Sequence, residues 1–398
     1  MIIEVFISII IGTLLGVITG LIPGIHINLI AVLALTSFPI LSNYFSTISI
    51  IIVLISMAVA HTFLDFIPSV YLGAPNPDTA LSILPAHRLL LEGKGHEAIQ
   101  LSTFGSLFGL IMTILLTPLL IFLVEKWYPL IKPLIPYILI LASLFLILKD
   151  TNKKWSLIIF LLSGVLGLGV LNLNLKQPLF PLFSGLFGTS NLLISLKNKI
   201  SLPEQKIEEI KINKKESIKA FSGGLIASSL AGFLPGLGAA QAAILASNIT
   251  GKLSSNGFIV LLGSINTIVM VISFVALYVI DRARNGVIVV VSKIIEDITL
   301  NHLILFLGSS LVVAGLATFL TLKLSKIFSK IINKINYAKI TMIIIFLIIS
   351  LVTFLTGLTG LFILLVSTSV GMIPILKNTG RSHLMGSLII LVVLYFLL

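Results

Sequence analysis

A chain of 398 residues, 57% hydrophobic and only 10% charged, with a mean hydropathy of +1.18, is too apolar for a soluble globular protein, whose charged share is about 25%. It reads as an all-α polytopic membrane protein. The absence of cysteine excludes disulfides, thiolate metal sites and thiol redox chemistry. A net charge of +12 invites a nucleic-acid reading, but the basic residues lie in short loops between apolar runs, where the positive-inside bias accounts for them, and no nucleic-acid partner is expected.

The first 22 residues carry Glu4 and no Lys or Arg ahead of the apolar run, so they lack the basic start of a signal peptide and read as a retained helix. Apolar segments then follow at about 24–40, 45–63, 64–91 (interrupted), 98–124, 129–149, 155–172 and 178–196. Most are long enough to cross a hydrocarbon core of about 30 Å. The one long polar stretch, 197–217, reads as a central cytoplasmic loop. Further segments lie at 218–234, 236–250, 256–280, 283–299 (interrupted), 300–322, 338–357, 358–376 and 383–398. The chain therefore divides into a first membrane repeat (1–196), the loop, and a second membrane repeat (218–398).

The two halves echo each other. GLIPGI at 20–25 recurs as GFLPGL at 232–237, and steps of four back from each give Gly12, Gly16, Gly20 against Gly224, Ser228, Gly232. Each copy sets small residues along one helix face, which permits close helix approach, and then breaks the helix at Pro-Gly. Lipid tolerates such a break only where the freed backbone is buried in protein or faces water. If each Pro-Gly element is a hairpin that enters and leaves on one side, and 64–91 and 283–299 behave likewise, 20 of the 26 Lys and Arg residues fall on one side. The other six are Lys126, Lys132, Lys176, Arg282, Arg284 and Lys293. The first side is then cytoplasmic, and the two hairpins enter from opposite sides as inverted repeats.

The segment HTFLDFIPSVYLGAPNPDTALSILPAHRLLLEGKGHEAIQLSTFGSLFG, 61–109, combines a Pro-rich break, Pro85, the pair Gly93 and Gly95, Ala98 and a Ser/Gly helix. With the two G-x-[IL]-P-G hairpins and PLFSGLFGTSNLL at 181–193, it resembles the tripartite tricarboxylate transporter TctA family, in a short form. The resemblance implies the large permease subunit of a secondary carboxylate transporter, built from inverted repeats. In bacterial relatives that subunit works with a small membrane subunit and an extracytoplasmic binding protein. Two departures stand out: His26 occupies a position where small residues are usual, and the second interrupted segment reads YVIDRARNG rather than a Pro-rich break.

The residues themselves suggest where an anion would bind. Breaks at Gly24 and Gly236, each set up by Pro23 or Pro235 after Gly20 or Gly232, would present the N–H ends of the following half-helices, which suit a negative group. His26 and Asn28 in the first arm, and Gln241 in the second, add hydrogen-bonding side chains just past each break; the counterpart of His26 is Gly238. The plainer alternative is that the Gly and Pro shape packing and that His26 is a core histidine. Asn76, Asp78 and Thr79 in GAPNPDTA offer oxygen ligands on irregular backbone, or Asp78 caps the helix at 79–91. Asn266, mid-span, either faces the transport path or bonds a neighbouring helix. His61 and Asp65, four apart, share a helix face and are candidates for the coupling ion as a proton relay, unless they are merely wet at the end of their span. Asp281, Arg282 and Arg284 suit the outer mouth, and the five lysines at 323–339 a loop facing the lipid surface.

There is no G-x-x-x-x-G-K-[ST] and no zinc-protease pattern, and no enzyme activity is expected. The expected protein is a multi-pass permease of the cell membrane that moves a small organic anion, such as a di- or tricarboxylate, by alternating access. It needs no cofactor beyond a coupling ion, H⁺ or Na⁺, and homo-oligomers are compatible with it. A translocase of anionic polyprenyl-phosphate-type lipids is the alternative, since the same hairpins would hold a phosphate.

Overall fold

The computed structural model describes residues 2–22, 27–71, 83–173, 175, 178–197, 203–208, 210, 213–233, 238–283, 285–295, 297–332 and 337–398. Among these there is no strand, and the helices in chain order are α1 (Ile2–Leu21), α2 (Ile27–Leu41), α3 (Thr47–Leu64), α4 (Phe66–Tyr71), α5 (Ile83–Leu91), α6 (Gly95–Ile131), α7 (Ile135–Lys149), α8 (Lys153–Leu171), α9 (Leu179–Phe183), α10 (Ser190–Lys197), α11 (Lys214–Phe233), α12 (Ala239–Thr250), α13 (Ser255–Ile280), α14 (Gly286–Ile294), α15 (Leu300–Ile331), α16 (Tyr337–Leu376) and α17 (Gly386–Leu397). Seven helices among the described residues are long and apolar enough to cross a membrane.

Two of these are central. The apolar windows of Thr47–Tyr71 and Ser255–Ile280 are 94% and 89% buried, against 22% to 44% for the other five. A helix apolar on all sides but covered by protein belongs to the core of a membrane bundle. Both begin with a serine cap: Ser46 accepts from the Ser49 N–H, and Ser254 accepts from the Gly257 N–H.

Small residues set the packing around these two helices. α1 lies on α3 through Gly12, Gly16 and Gly20, and α11 lies on α13 through Gly224 and Gly232. α6 runs beside α13, where a Cβ added at Gly105 would overlap the Val260 carbonyl and one at Gly263 the Ser102 carbonyl. Such approaches exclude side chains and raise van der Waals contact between backbones, the main source of helix association in lipid. α15 covers both α3 and α6.

A second group contains α8, α16 and α17 with the PLFSGLFGTSNLL segment. That segment forms α9, a π-helical turn at Ser184–Thr189 and α10, and Gly185 sits where a Cβ would overlap Ser367 on α16. α16 is kinked at Gly357 (φ 67°), a left-handed conformation that favours glycine. The kink falls where the sequence predicts a division between 338–357 and 358–376. Elsewhere boundaries differ: α6 runs unbroken from Gly95 to Ile131 through Pro118 and Pro129, across two predicted segments. α14 fills only the middle of the predicted 283–299 segment.

The Gly93 and Gly95 pair turns out to be a docking point for the central loop. Gly93 takes φ 78°, Lys206 N–H donates to its carbonyl (2.7 Å), and Gln205 both accepts from Gly95 N–H (2.9 Å) and donates to the Leu90 carbonyl (3.0 Å).

Candidate functional site

The last turn of α3 brings three polar side chains together in an apolar surrounding: His61, Thr62 and, as the capping residue, Asp65. Asp65 N–H closes the helix by donating to the His61 carbonyl (3.0 Å), and the chain continues into α4. These residues are 4%, 2% and 1% exposed. Burial therefore excludes the reading in which the His61 and Asp65 pair is simply wet at the end of its span. His61 Nε2 lies 3.9 Å from Asp65 Oδ2, as their i, i+4 spacing predicts.

Asn266, in the middle of α13, faces the same carboxylate. Its Nδ2 donates to Asp65 Oδ1 (3.2 Å), to Oδ2 (3.1 Å) and to the Thr62 carbonyl (3.2 Å). One residue on, Thr267 Oγ1 meets Thr62 Oγ1 at 3.0 Å; since Thr62 donates to the Val59 carbonyl (2.8 Å), it accepts from Thr267. The two central helices are thus tied by adjacent residues on α13, Asn266 and Thr267, and by two residues one turn apart on the other side, Asp65 and Thr62.

α1 completes the cluster. Thr19 Oγ1 donates to the Gly16 carbonyl (3.2 Å) and stands 3.1 Å from His61 Nδ1, so an Nδ1–H donates to Thr19 Oγ1 and Nε2 is turned toward Asp65. Gly20 makes that approach possible: a Cβ there would come within 2.7 Å of Leu64 Cβ and 3.3 Å of Asp65 N.

Chemically, this is a carboxylate and an imidazole on one helix face, buried where an uncompensated ion costs several kcal/mol, with the Asn266 amide donating to both carboxylate oxygens.

Four sequence-predicted positions, Gly20, His61, Asp65 and Asn266, meet in this cluster, although the sequence assigns two to substrate and two to the coupling ion. Gly232 lies apart, packed on α13 at Ile272. The Gly238 carbonyl accepts from Ala242 N–H at the start of α12 (3.1 Å). Asn28 and Gln241 fall in the first turns of α2 and α12. Pro23, Gly24, His26, Asn76, Asp78, Thr79, Pro235, Gly236 and Arg284 lie outside the described residues. Sequence reasoning missed Thr19, Thr62 and Thr267. Their signal was present: each directly adjoins a residue already singled out, Gly20, His61 or Asn266.

A second polar tie joins the halves outside this core. Asp150, after α7, accepts from Gly380 N–H (2.8 Å), from His383 Nε2 (2.8 Å) and from Asn152 N–H (3.2 Å). Burial opposes its charge, but these donors outweigh it and hold its pKa at about 2. Next to it Arg381 donates to the Leu186 and Phe187 carbonyls and to Ser190 Oγ, anchoring the π-helical turn.

Comparison with known proteins identifies the family. The family model described as the tripartite tricarboxylate transporter TctA family matches residues 6–386. An uncharacterized protein of Methanocaldococcus jannaschii is 33% identical over 385 residues, 94% of this chain and 94% of its own length. No solved structure matches the chain.

Proposed function

The chain belongs to the tripartite tricarboxylate transporter TctA family, and from that premise we propose that it is a secondary active permease for organic anions such as di- or tricarboxylates. The observation that carries the reading is the buried His61, Asp65 and Asn266 cluster, which joins the central helix of one half to the central helix of the other. An ionisable pair at that depth is expensive in a purely structural role and is the hallmark of a coupling site.

In this mechanism H⁺ is the coupling ion, carried by the His61 and Asp65 pair; a Na⁺ bound at Asp65 is the alternative. The anion would be held at the two Pro-Gly breaks by N–H ends, with His26, Asn28 and Gln241 and the 76–79 oxygens as further contacts. Protonation weakens the grip of Asp65 on Asn266, so α3 and α13 are freed to shift relative to each other as the substrate is carried across. A small membrane subunit, an extracytoplasmic binding protein and a place in the cell membrane follow from the family reading.

Uptake of labelled citrate into proteoliposomes under an imposed pH or Na⁺ gradient tests the proposal. Gradient-dependent accumulation is the expected result. No gradient-dependent uptake of citrate or of a four-carbon dicarboxylate would sink it.

A further inference from the structure

Between α6 and α15 lies a row of buried polar atoms that the cluster above does not use. His96 Nδ1 meets Ser325 Oγ at 2.8 Å, and Tyr71 OH meets Ser325 Oγ at 3.0 Å and Ser329 Oγ at 2.6 Å. Beyond these, His96 Nε2, Gln100 Oε1, Thr103 Oγ1, Thr318 Oγ1 and Thr321 Oγ1 are sealed off and have no hydrogen-bond partner among the described residues. His96 and Thr321 are 0% exposed and Thr103 2%.

The order of these atoms is not random. The start of α6 touches the end of α15 and the two helices pack along a shared length, so they run antiparallel. With His96 opposite Ser325, position 100 falls opposite 321 and position 103 opposite 318: each unpartnered atom on one helix has one at the same level on the other. The steps of four and three keep all of them on one face. A second register extends the measure. Asn256 of α13 donates to Glu97 of α6, so Asn266 is level with position 107. Both registers place the contact between Phe274 and Phe306 at the level of position 115, which confirms that they agree. The row thus begins at the end of the bundle that carries Lys323, Lys326 and Lys330, cytoplasmic by the positive-inside bias. It stops about 6 Å, four residues of rise, short of Asn266 and Asp65.

We infer that this seam holds a file of water molecules through which protons pass between the cytoplasm and the His61 and Asp65 pair, with His96 as a relay. Buried polar atoms require partners, and water, which donates and accepts twice, serves hydroxyl, amide and imidazole alike. A metal cation is the poorer occupant: the row contains no carboxylate, and the titratable groups facing His96 from neighbouring elements are Lys326 on α15 and Tyr71 on α4. In each passage Nε2 of the imidazole accepts a proton from one water and yields it to the next, while Nδ1 keeps its bond to Ser325, so the ring ends in the state in which it began.

The inference rests on proton coupling at Asp65, and its test separates the two. Thr321→Val and Thr103→Val replace a hydroxyl by a methyl of the same shape. In a hydrated seam each lowers the thermal midpoint of the purified protein; a rise or no change means the seam is dry and overturns the water file whatever the protein transports. His96→Asn keeps a polar atom for Ser325 and removes Nε2. In proteoliposomes containing a pH-sensitive dye, it is expected to slow citrate-driven proton entry at least tenfold while leaving citrate exchange unchanged. Equal loss of both would make His96 a structural residue and overturn the relay. Absence of citrate transport in the unaltered protein would instead remove the permease reading and leave the midpoint test of the water file standing.

Discussion

The contact of α1 with α3 and that of α11 with α13 are built from the same small-residue spacing but solve the packing differently. At Gly12 and Gly16 an added Cβ would collide with backbone and with Cβ atoms fixed to it: the Val53 carbonyl and Ser56 Cβ (2.6 Å) at the first, Ala60 Cβ (2.5 Å), the Met57 carbonyl at 2.7 Å and His61 N at 3.2 Å at the second. At Gly224 and Gly232 it would meet side chains, Ser264 Oγ at 2.7 Å and the Ile272 Cγ2 methyl. The first seam is thus rigid, backbone on backbone, and it leads directly to the turn that holds Asp65. The second has rotatable groups in it and reaches Asn266 with a neutral amide. One half carries the ionisable groups on the backbone-packed seam, and the other meets them with a neutral amide.

The most severe way to break this asymmetry is to move the charge. Asp65→Asn should lower gradient-driven citrate uptake about 100-fold or more, equivalent to about 3 kcal/mol of lost driving interaction. Asn266→Asp alone places two carboxylates within about 3 Å, where both cannot ionise, and should reduce folded yield. The combined Asp65→Asn and Asn266→Asp variant returns one carboxylate and one amide to the same pair of positions. Recovery of uptake in the double variant would mean that only the pair matters. Failure with normal folding would show that the carboxylate must sit on the rigid seam.

A smaller effect separates the two seams directly. Gly16→Ala forces α1 away from α3 and should destabilise the protein by about 1–3 kcal/mol, the usual cost of overpacking where nothing can rotate aside. Gly224→Ala gains about 1 kcal/mol of helix propensity and requires Ser264 to turn from its bond to the Leu261 carbonyl (2.7 Å), a loss of about 1 kcal/mol, so its net effect should be near zero. Thermal midpoints of the two variants in the same detergent check this. Equal destabilisation would remove the distinction between a rigid and an adaptable seam.

Much of this was legible in the sequence, for identifiable reasons. Glycine every fourth residue has one common cause, helix approach, so the stripe Gly12, Gly16, Gly20 announced its contact before its partner was known. The i, i+4 spacing of His61 and Asp65 fixed their shared face. The convergence of Asn266 on Asp65 was not legible, because 201 positions separate them and only the fold decides which face of α13 meets α3. Hydroxyls were hidden for another reason. A threonine in a membrane helix normally returns its proton to its own backbone, as Thr113 and Thr117 do, so only their adjacency to Gly20, His61 and Asn266 marked Thr19, Thr62 and Thr267. Likewise nothing in the sequence singled out His96, because its opposition to Ser325 depends on helix register.

The mildest expected effect lies at the other junction of the halves and serves as a control for the first. Asp150 is held at a pKa of about 2 by Gly380, His383 and Asn152, whereas an unfolded aspartate titrates near about 4. The folded state therefore binds the carboxylate form more strongly. That stability is fully present above pH of about 4 and is lost as pH falls through about 2. Asp150→Asn removes the charge but keeps an oxygen for the Gly380 N–H. It should lower the thermal midpoint modestly at pH 7 and flatten its decline between pH 4 and 2. Citrate uptake per folded molecule should stay unchanged, because nothing in this tie reaches α3 or α13. A transport defect equal to that of Asp65→Asn would show instead that the two junctions act as one coupled device, and that the functional asymmetry extends beyond the central helices.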